Sequence, residues 1–321
     1  MRSKTGKTIA VIAAVMMFSG RFLFAQNIQD NEIAGVMSGL FYALQRAEDA
    51  DEDTGKNMDA SIRWETPRGQ EDLLRLSFND FRFYAMEETP GSLSASEGRI
   101  LTLNGNLEFD GGLDGSISVG GGAAVSSIGF RDYDPYQEEN GGEVLVNGRP
   151  YDGKEFKNFM EQADEDQIID TEREVVMAFV SVLMAVDESN LDEQMGAPSG
   201  PAAIPPGLRA SNSEGTFSAV TREDGIELGY RSYVPQPFSG YSRYPVLDGE
   251  LVMKYDIQDG SMEAVIFDGS VNVRRLAFVS SLRFDACEMK ENWEENAGGN
   301  ITVNGKSWPF RDLLAALEKT F

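Results

Sequence analysis

One nine-residue block occurs twice in this chain, and it constrains the fold more than any other feature. Gly141-Gly142-Glu143-Val144-Leu145-Val146-Asn147-Gly148-Arg149 returns without a gap as Gly298-Gly299-Asn300-Ile301-Thr302-Val303-Asn304-Gly305-Lys306. Five of the nine positions are identical, and two more exchange Val for Ile and Arg for Lys. An aromatic residue follows each block at the same offset, Tyr151 in one and Trp308 in the other, and a short helical pattern comes next. Asn-Gly is the preferred pair for a type I′ hairpin turn, so each block reads as a tight turn between two strands. Asp152 with Glu155 three residues on reads as a helix cap behind the first turn.

The likeness extends upstream. Ile33, Val36, Met37, Leu40, Phe41 and Leu44 have helical spacing, and Phe179, Val182, Leu183 and Val186 offer the same pattern in a second segment. The second helix is apolar nearly all round from Val175 to Val180, which predicts burial. Leu101, Leu103, Leu107 and Phe109 alternate with polar residues, as do Leu251, Met253, Tyr255 and Ile257; both read as half-buried antiparallel strands. Asp114-Gly115-Ser116 and Asp259-Gly260-Ser261 are the expected hairpin turns after them. A last strand is expected through Leu276, Phe278, Leu282 and Phe284, with a shorter equivalent at Ile128–Phe130.

The expected fold class is therefore α+β, with two tandem similar repeats, each a mainly antiparallel β-meander with flanking helices. Repeat one spans residues 26–165 and repeat two residues 166–321, the latter containing a Pro/Gly tract at 196–207. That tract matches in position the acidic stretch Glu48–Asp59, and both read as surface linkers. Placing the domain boundary at 196–207 instead assigns the middle helix to the first domain, and the sequence leaves both parses open.

Residues 1–25 read as an export signal: Arg2, Lys4 and Lys7 precede an apolar run from Ile9 to Phe18, with cleavage after Ala25. The run is short of the roughly 20 apolar residues a spanning helix needs, so no membrane span is expected once the signal is removed. Export to the periplasm or beyond the cell is the expected location. Removing those residues leaves 24 basic against 53 acidic side chains, a field that repels nucleic acid and anionic lipid. The C-terminal Leu313, Leu314 and Leu317 with Glu318 and Lys319 form a helical face, unlike the closing strand of a membrane barrel.

The chain holds no His and a single Cys, Cys287, which excludes Ser-His-Asp and Cys-His catalysis, intrachain disulfides and imidazole- or thiolate-built metal sites. Cys287 reads as a small apolar filler. Asp51, Asp53, Asn57 and Asp59 alternate like calcium ligands, but Lys56 and Ile62 occupy the positions where an EF-hand needs Gly and Glu. Gly120-Gly121-Gly122 lacks the Lys-Ser/Thr of a phosphate loop and reads as a turn or bulge. Tyr230, Tyr233, Phe238, Tyr241 and Tyr244, interleaved with prolines and arginines, form the best candidate contact surface for a ligand or partner.

The functional expectation is a non-enzymatic, exported binding or scaffolding protein without a cofactor, whose partner is an envelope protein. The alternative is a carrier of an apolar ligand or lipid, with Met177, Met184, Met253 and Met262 as adaptable lining. A hydrolase working through paired carboxylates is the third class.

Overall fold

The computed structural model describes residues 28–50, 53–70, 73–85, 99–134, 141–163, 168–188, 207–212, 214–223, 225–235, 244–258, 261–290 and 297–320. The chain divides into two compact units, Met1–Asp170 and Thr171–Phe321. It is mostly β (52% strand), with four helices among the described residues and two antiparallel sheets.

The first unit opens with α1 (Ile28–Asp49). An eight-strand path follows: β1 (Thr54–Lys56), β2 (Ile62–Glu65), β3 (Leu74–Ala85), β4 (Leu101–Phe109), β5 (Leu113–Gly120), β6 (Ser127–Tyr133), β7 (Glu143–Val146) and β8 (Arg149–Tyr151). Each strand pairs with the next in sequence. Then come α2 (Gly153–Gln162) and β9 (Ile168–Asp170), which returns to pair with Phe83–Ala85 of β3. The second unit opens with α3 (Thr171–Glu188). Its path is β10 (Arg209–Ser211), β11 (Phe217–Arg222), β12 (Gly225–Tyr233), β13 (Val246–Gln258), β14 (Ser261–Arg274), β15 (Ser281–Lys290), β16 (Gly298–Val303) and β17 (Lys306–Pro309), closed by α4 (Phe310–Thr320).

Alternation sets the layers. Along β2 and β5 apolar residues such as Ile62, Trp64, Ile117 and Val119 are buried while Arg63, Glu65, Ser116 and Ser118 are exposed. One face of each sheet thus carries a core and the other meets water. Among the described residues Val234 is the one exposed large apolar side chain. Sheet ends are blunted against pairing with other chains: β1 and β10 are three residues long, and β8 and β17 carry Pro150 and Pro309.

Three expectations are corrected. Asp114-Gly115 is not a turn, because both residues lie inside β5 and the connection from β4 runs through residues 110–112. Gly115 has φ 115°, and a Cβ there would sit 2.4 Å from the Asn106 carbonyl oxygen, so the position demands glycine for a bulge. Its counterpart Asp259-Gly260 lies outside the described residues, between the paired Gln258 and Ser261. The strand expected from Leu276 starts only at Ser281; Ala277, Phe278 and Val279 form a loop whose amides point at a helix. Finally, Glu48–Asp59 is not all linker. Thr54–Lys56 is strand β1, and Asn57 is buried in the turn that follows, accepting from the Ile62 amide (2.9 Å) and donating to Ser61 Oγ (3.1 Å). The tract at 196–206 lies outside the described residues.

Candidate functional site: two helix carboxylates in amide nests

Glu32, near the start of α1, is a charged group in an apolar face, with only 6% of its surface exposed. Its Oε1 accepts from the Ala123 amide (2.6 Å), and Oε2 accepts from those of Ala124 (2.8 Å) and Val125 (2.8 Å). The Arg99 guanidinium donates to the same carboxylate. Burial pushes this carboxyl upward, but the three amide bonds and then Arg99 outweigh it and hold the group below its ordinary value. Gly121 and Gly122, part of the glycine run, begin the loop that wraps the carboxylate. The nest is filled by the chain's own side chain.

In α3 a fully buried Glu174 makes the same three amide bonds. Oε1 accepts from the Ala277 amide (2.7 Å), and Oε2 from those of Phe278 (2.6 Å) and Val279 (3.0 Å). Both loops are gripped from their other side by an Asn-Gly turn. Asn147 Oδ1 accepts from the Ser126 amide (2.7 Å), Ser126 Oγ (2.9 Å) and the Ser127 amide (3.3 Å), while Nδ2 donates to the Ala124 carbonyl (2.7 Å). Asn304 Oδ1 accepts from the Ser280 amide (2.8 Å), Ser280 Oγ (2.9 Å) and the Ser281 amide (3.2 Å), and Nδ2 donates to the Phe278 carbonyl (2.6 Å).

The turns are two-residue hairpins with Val146 opposite Arg149 and Val303 opposite Lys306. Positive φ at Asn147 (54°) and Gly148 (72°), and at Asn304 (51°) and Gly305 (85°), identifies type I′. Asn serves twice, supplying the turn conformation and the side chain that fixes the neighbouring loop.

Sequence reasoning found the turns and missed the carboxylates. A signal existed: Ala123, Val125, Ser126, Ser127 and Phe130 recur at identical spacing as Ala277, Val279, Ser280, Ser281 and Phe284. It also missed a buried network in the first unit. The Tyr42 hydroxyl donates to Asp170 Oδ2 (3.2 Å), and Arg46 Nη2 donates to the Tyr42 hydroxyl oxygen (2.9 Å).

The aromatic candidates are placed as follows. Tyr230 and Tyr233 come together with ring centroids 6.0 Å apart, on the inner face of the second sheet. They are 5% and 0% exposed, and the Tyr230 hydroxyl donates to the Val182 carbonyl of α3 (3.1 Å). Burial pushes the Tyr230 hydroxyl far above its ordinary range. Phe238 and Tyr241 lie outside the described residues, and Tyr244 is half-buried ahead of β13. Tyr230 and Tyr233 flank the bulge of β12 as Phe78 and Phe81 flank that of β3, which explains their burial.

Other candidates have structural surroundings. Asp152 caps α2 by accepting from the Lys154 (2.8 Å) and Glu155 (3.2 Å) amides. Asp53 is exposed, Asp59 accepts from the Ser61 amide (2.9 Å), and Asp51 lies outside the described residues. Cys287 is buried, its thiol donating to the Asn300 carbonyl (3.0 Å), and burial pushes it up to about 12. Met177 and Met253 are buried and Met184 half-buried, while Met262 stands in β14.

Chemically, a carboxylate that holds three amide hydrogen bonds and stays ionised is poorly suited to move protons. Among the described residues, no group of three or more His, Cys, Asp or Glu side chains could hold a metal ion, and no helix is long and apolar enough to cross a membrane. No protein-family model, no curated protein and no solved structure matches this chain.

Proposed function

We propose that the chain descends from a duplicated module and serves, after export, as an acidic non-enzymatic binding or scaffolding protein. The recurrence of the carboxylate nest and its Asn clamp supports the duplication most directly. Matching bulges add to it. Asp80 (φ 52°) donates its amide to Asn104 Oδ1 (2.8 Å), and Ser232 (φ 50°) donates to Asp248 Oδ1 (2.7 Å). Gly115 opposes Leu107 in one sheet as Gly269 opposes Leu251 in the other.

The non-enzymatic reading rests on where the polar chemistry goes. Glu32 and Glu174, both buried, are held by loop amides that tie helix to sheet, and a carboxylate held in that way is a poor proton carrier. The outer faces, lined by short polar side chains such as Asn106, Ser116 and Ser118, are then the working surfaces. The basic, apolar opening of the chain supports export.

The test uses the mature full chain as bait in an envelope extract. A retained protein that is lost when the paired, exposed Asn106 and Ser116 are changed to Arg supports the proposal. A lipid that co-purifies in native mass spectrometry points to the carrier instead. Hydrolytic activity abolished by a carboxylate substitution would overturn the non-enzymatic reading.

A further inference from the structure

We infer that each helix is matched in size to its own sheet, so that α1 and α3 cannot exchange partners although both are held in matching amide nests. The inference rests on the duplication proposed above. Glu32 and Glu174 fix the register in which the helices are compared. Seven residues beyond them stand Gly39 in α1 and Ser181 in α3. A Cβ at Gly39 would lie 2.5, 2.8 and 3.1 Å from three atoms of the Phe83 ring. Phe83 is buried and stacked on Phe81 at 5.1 Å, so its ring can move only by disturbing that packing. Any residue larger than glycine at that point of sheet one therefore forces the Phe83 ring to move. Ser181 is such a residue, buried, with its hydroxyl donating to the Met177 carbonyl (2.7 Å). The site that corresponds to Phe83, three residues past the positive-φ bulge, is Pro235 in the second unit, a smaller side chain with no aromatic ring.

The same opposition runs through the cores. Leu113 faces Tyr133 across β5 and β6, whereas Phe267 faces Cys287 across β14 and β15. Small-against-large has become large-against-small, with all four side chains buried. The helix that follows each turn makes the complementary choice. Gly153 lies under Tyr133, whose hydroxyl donates to the Gly153 carbonyl (3.2 Å). Six residues after Asn304, as Gly153 is after Asn147, Phe310 packs on Phe267 (6.2 Å) beside the small Cys287. Five residues past each Glu, Met37 in α1 answers to Phe179 in α3, which packs on Phe267 (5.9 Å), Phe284 (5.9 Å) and Phe310 (5.7 Å). Polar bonds common to both units would let either helix dock; the apolar sizes decide between them.

The test transplants residues 175–186 onto positions 33–44 of the full chain, with and without Phe83→Ala, and follows hydrogen exchange at Ala123, Ala124 and Val125, the amides that Glu32 holds. The expected result is loss of protection by roughly tenfold or more in the transplant, regained when Phe83→Ala is added. Full protection without Phe83→Ala would overturn the size matching and leave the duplication standing. Loss of protection in both versions would overturn Phe83 as the deciding contact and leave the duplication standing, since the transplant also changes Met37 and the Tyr42 that bonds Asp170. Gly39→Ser in the native helix is the minimal form: it should expose the same three amides, with Phe83→Ala restoring them, and unchanged protection would again overturn the inference.

Discussion

The two units hold their first helices in matching amide nests and pack them with different apolar residues. Glu32 and Glu174 each meet three successive amides, and Asn147 and Asn304 make the same four side-chain bonds. Around them the counterparts differ: where the first unit has Tyr133, Gly153 and Met37, the second has Cys287, Phe310 and Phe179. Hydrogen bonds are directional and leave costly orphans when one partner goes, so a nest tolerates little variation. Apolar contacts ask mainly for conserved volume, which two neighbours can redistribute between them.

Breaking that comparison starts with the carboxylates. Glu174→Leu is expected to destabilise its unit by about 4 kcal/mol, because two or three amides are left without acceptors inside a core. Glu32→Leu should lose about 3 kcal/mol, since its nest is less completely buried. Urea denaturation of the full chain measures both; equal losses would remove the distinction drawn from burial.

The Asn clamps come next. Asn147→Gly keeps a residue that accepts positive φ and deletes only the side-chain bonds, so a loss of about 1–2 kcal/mol is expected, with a similar loss for Asn304→Gly. Asn147→Ala should cost roughly 1 kcal/mol more, the penalty of left-handed backbone for a residue with a Cβ. A Gly variant as stable as wild type would reduce these residues to turn formers.

The core exchange predicts a smaller effect. Cys287→Ala removes a sulfur from a tight site and should cost about 1 kcal/mol. The native thiol should resist alkylation at neutral pH, since burial holds it protonated up to about 12. Rapid labelling of the folded chain would contradict that.

Acid gives the mildest perturbation. Glu32 has a folded pKa below its ordinary 4.5, so its contribution is complete above that value and is lost as pH falls through the lower, folded one. Stability of the first unit should decline below about pH 4.5, and Glu32→Gln should flatten that part of the profile. An unchanged profile in Glu32→Gln would assign the acid sensitivity to other carboxylates.

Much of the fold was legible because period alone reveals it. The helix from Ile33 to Leu44 and the strand from Leu101 to Phe109 show their faces in any window of ten residues. Asp114-Gly115 misled because hairpin turns and bulges make the same demand for positive φ, and the dipeptide cannot say which one is present. Leu276 and Phe278 alternate like a strand, yet their segment curves around Glu174, a partner more than 100 residues away in sequence. Ile62-Arg63-Trp64-Glu65 has the alternation of a strand, but four residues are too few to stand out after the acidic stretch that ends at Asp59. Tyr230 and Tyr233 looked like surface anchors until the bulge between them turned both inward. The nests themselves were hidden in the same way as any long-range contact: each half is ordinary, and only the pairing gives it meaning.

The most direct measurement is amide hydrogen exchange across both loops in wild type, Glu32→Leu and Glu174→Leu. Each substitution should expose its own three amides, Ala123 to Val125 or Ala277 to Val279, while the other trio stays protected. If either loop keeps its protection after losing its carboxylate, the helix-to-loop latch is not what holds that unit together.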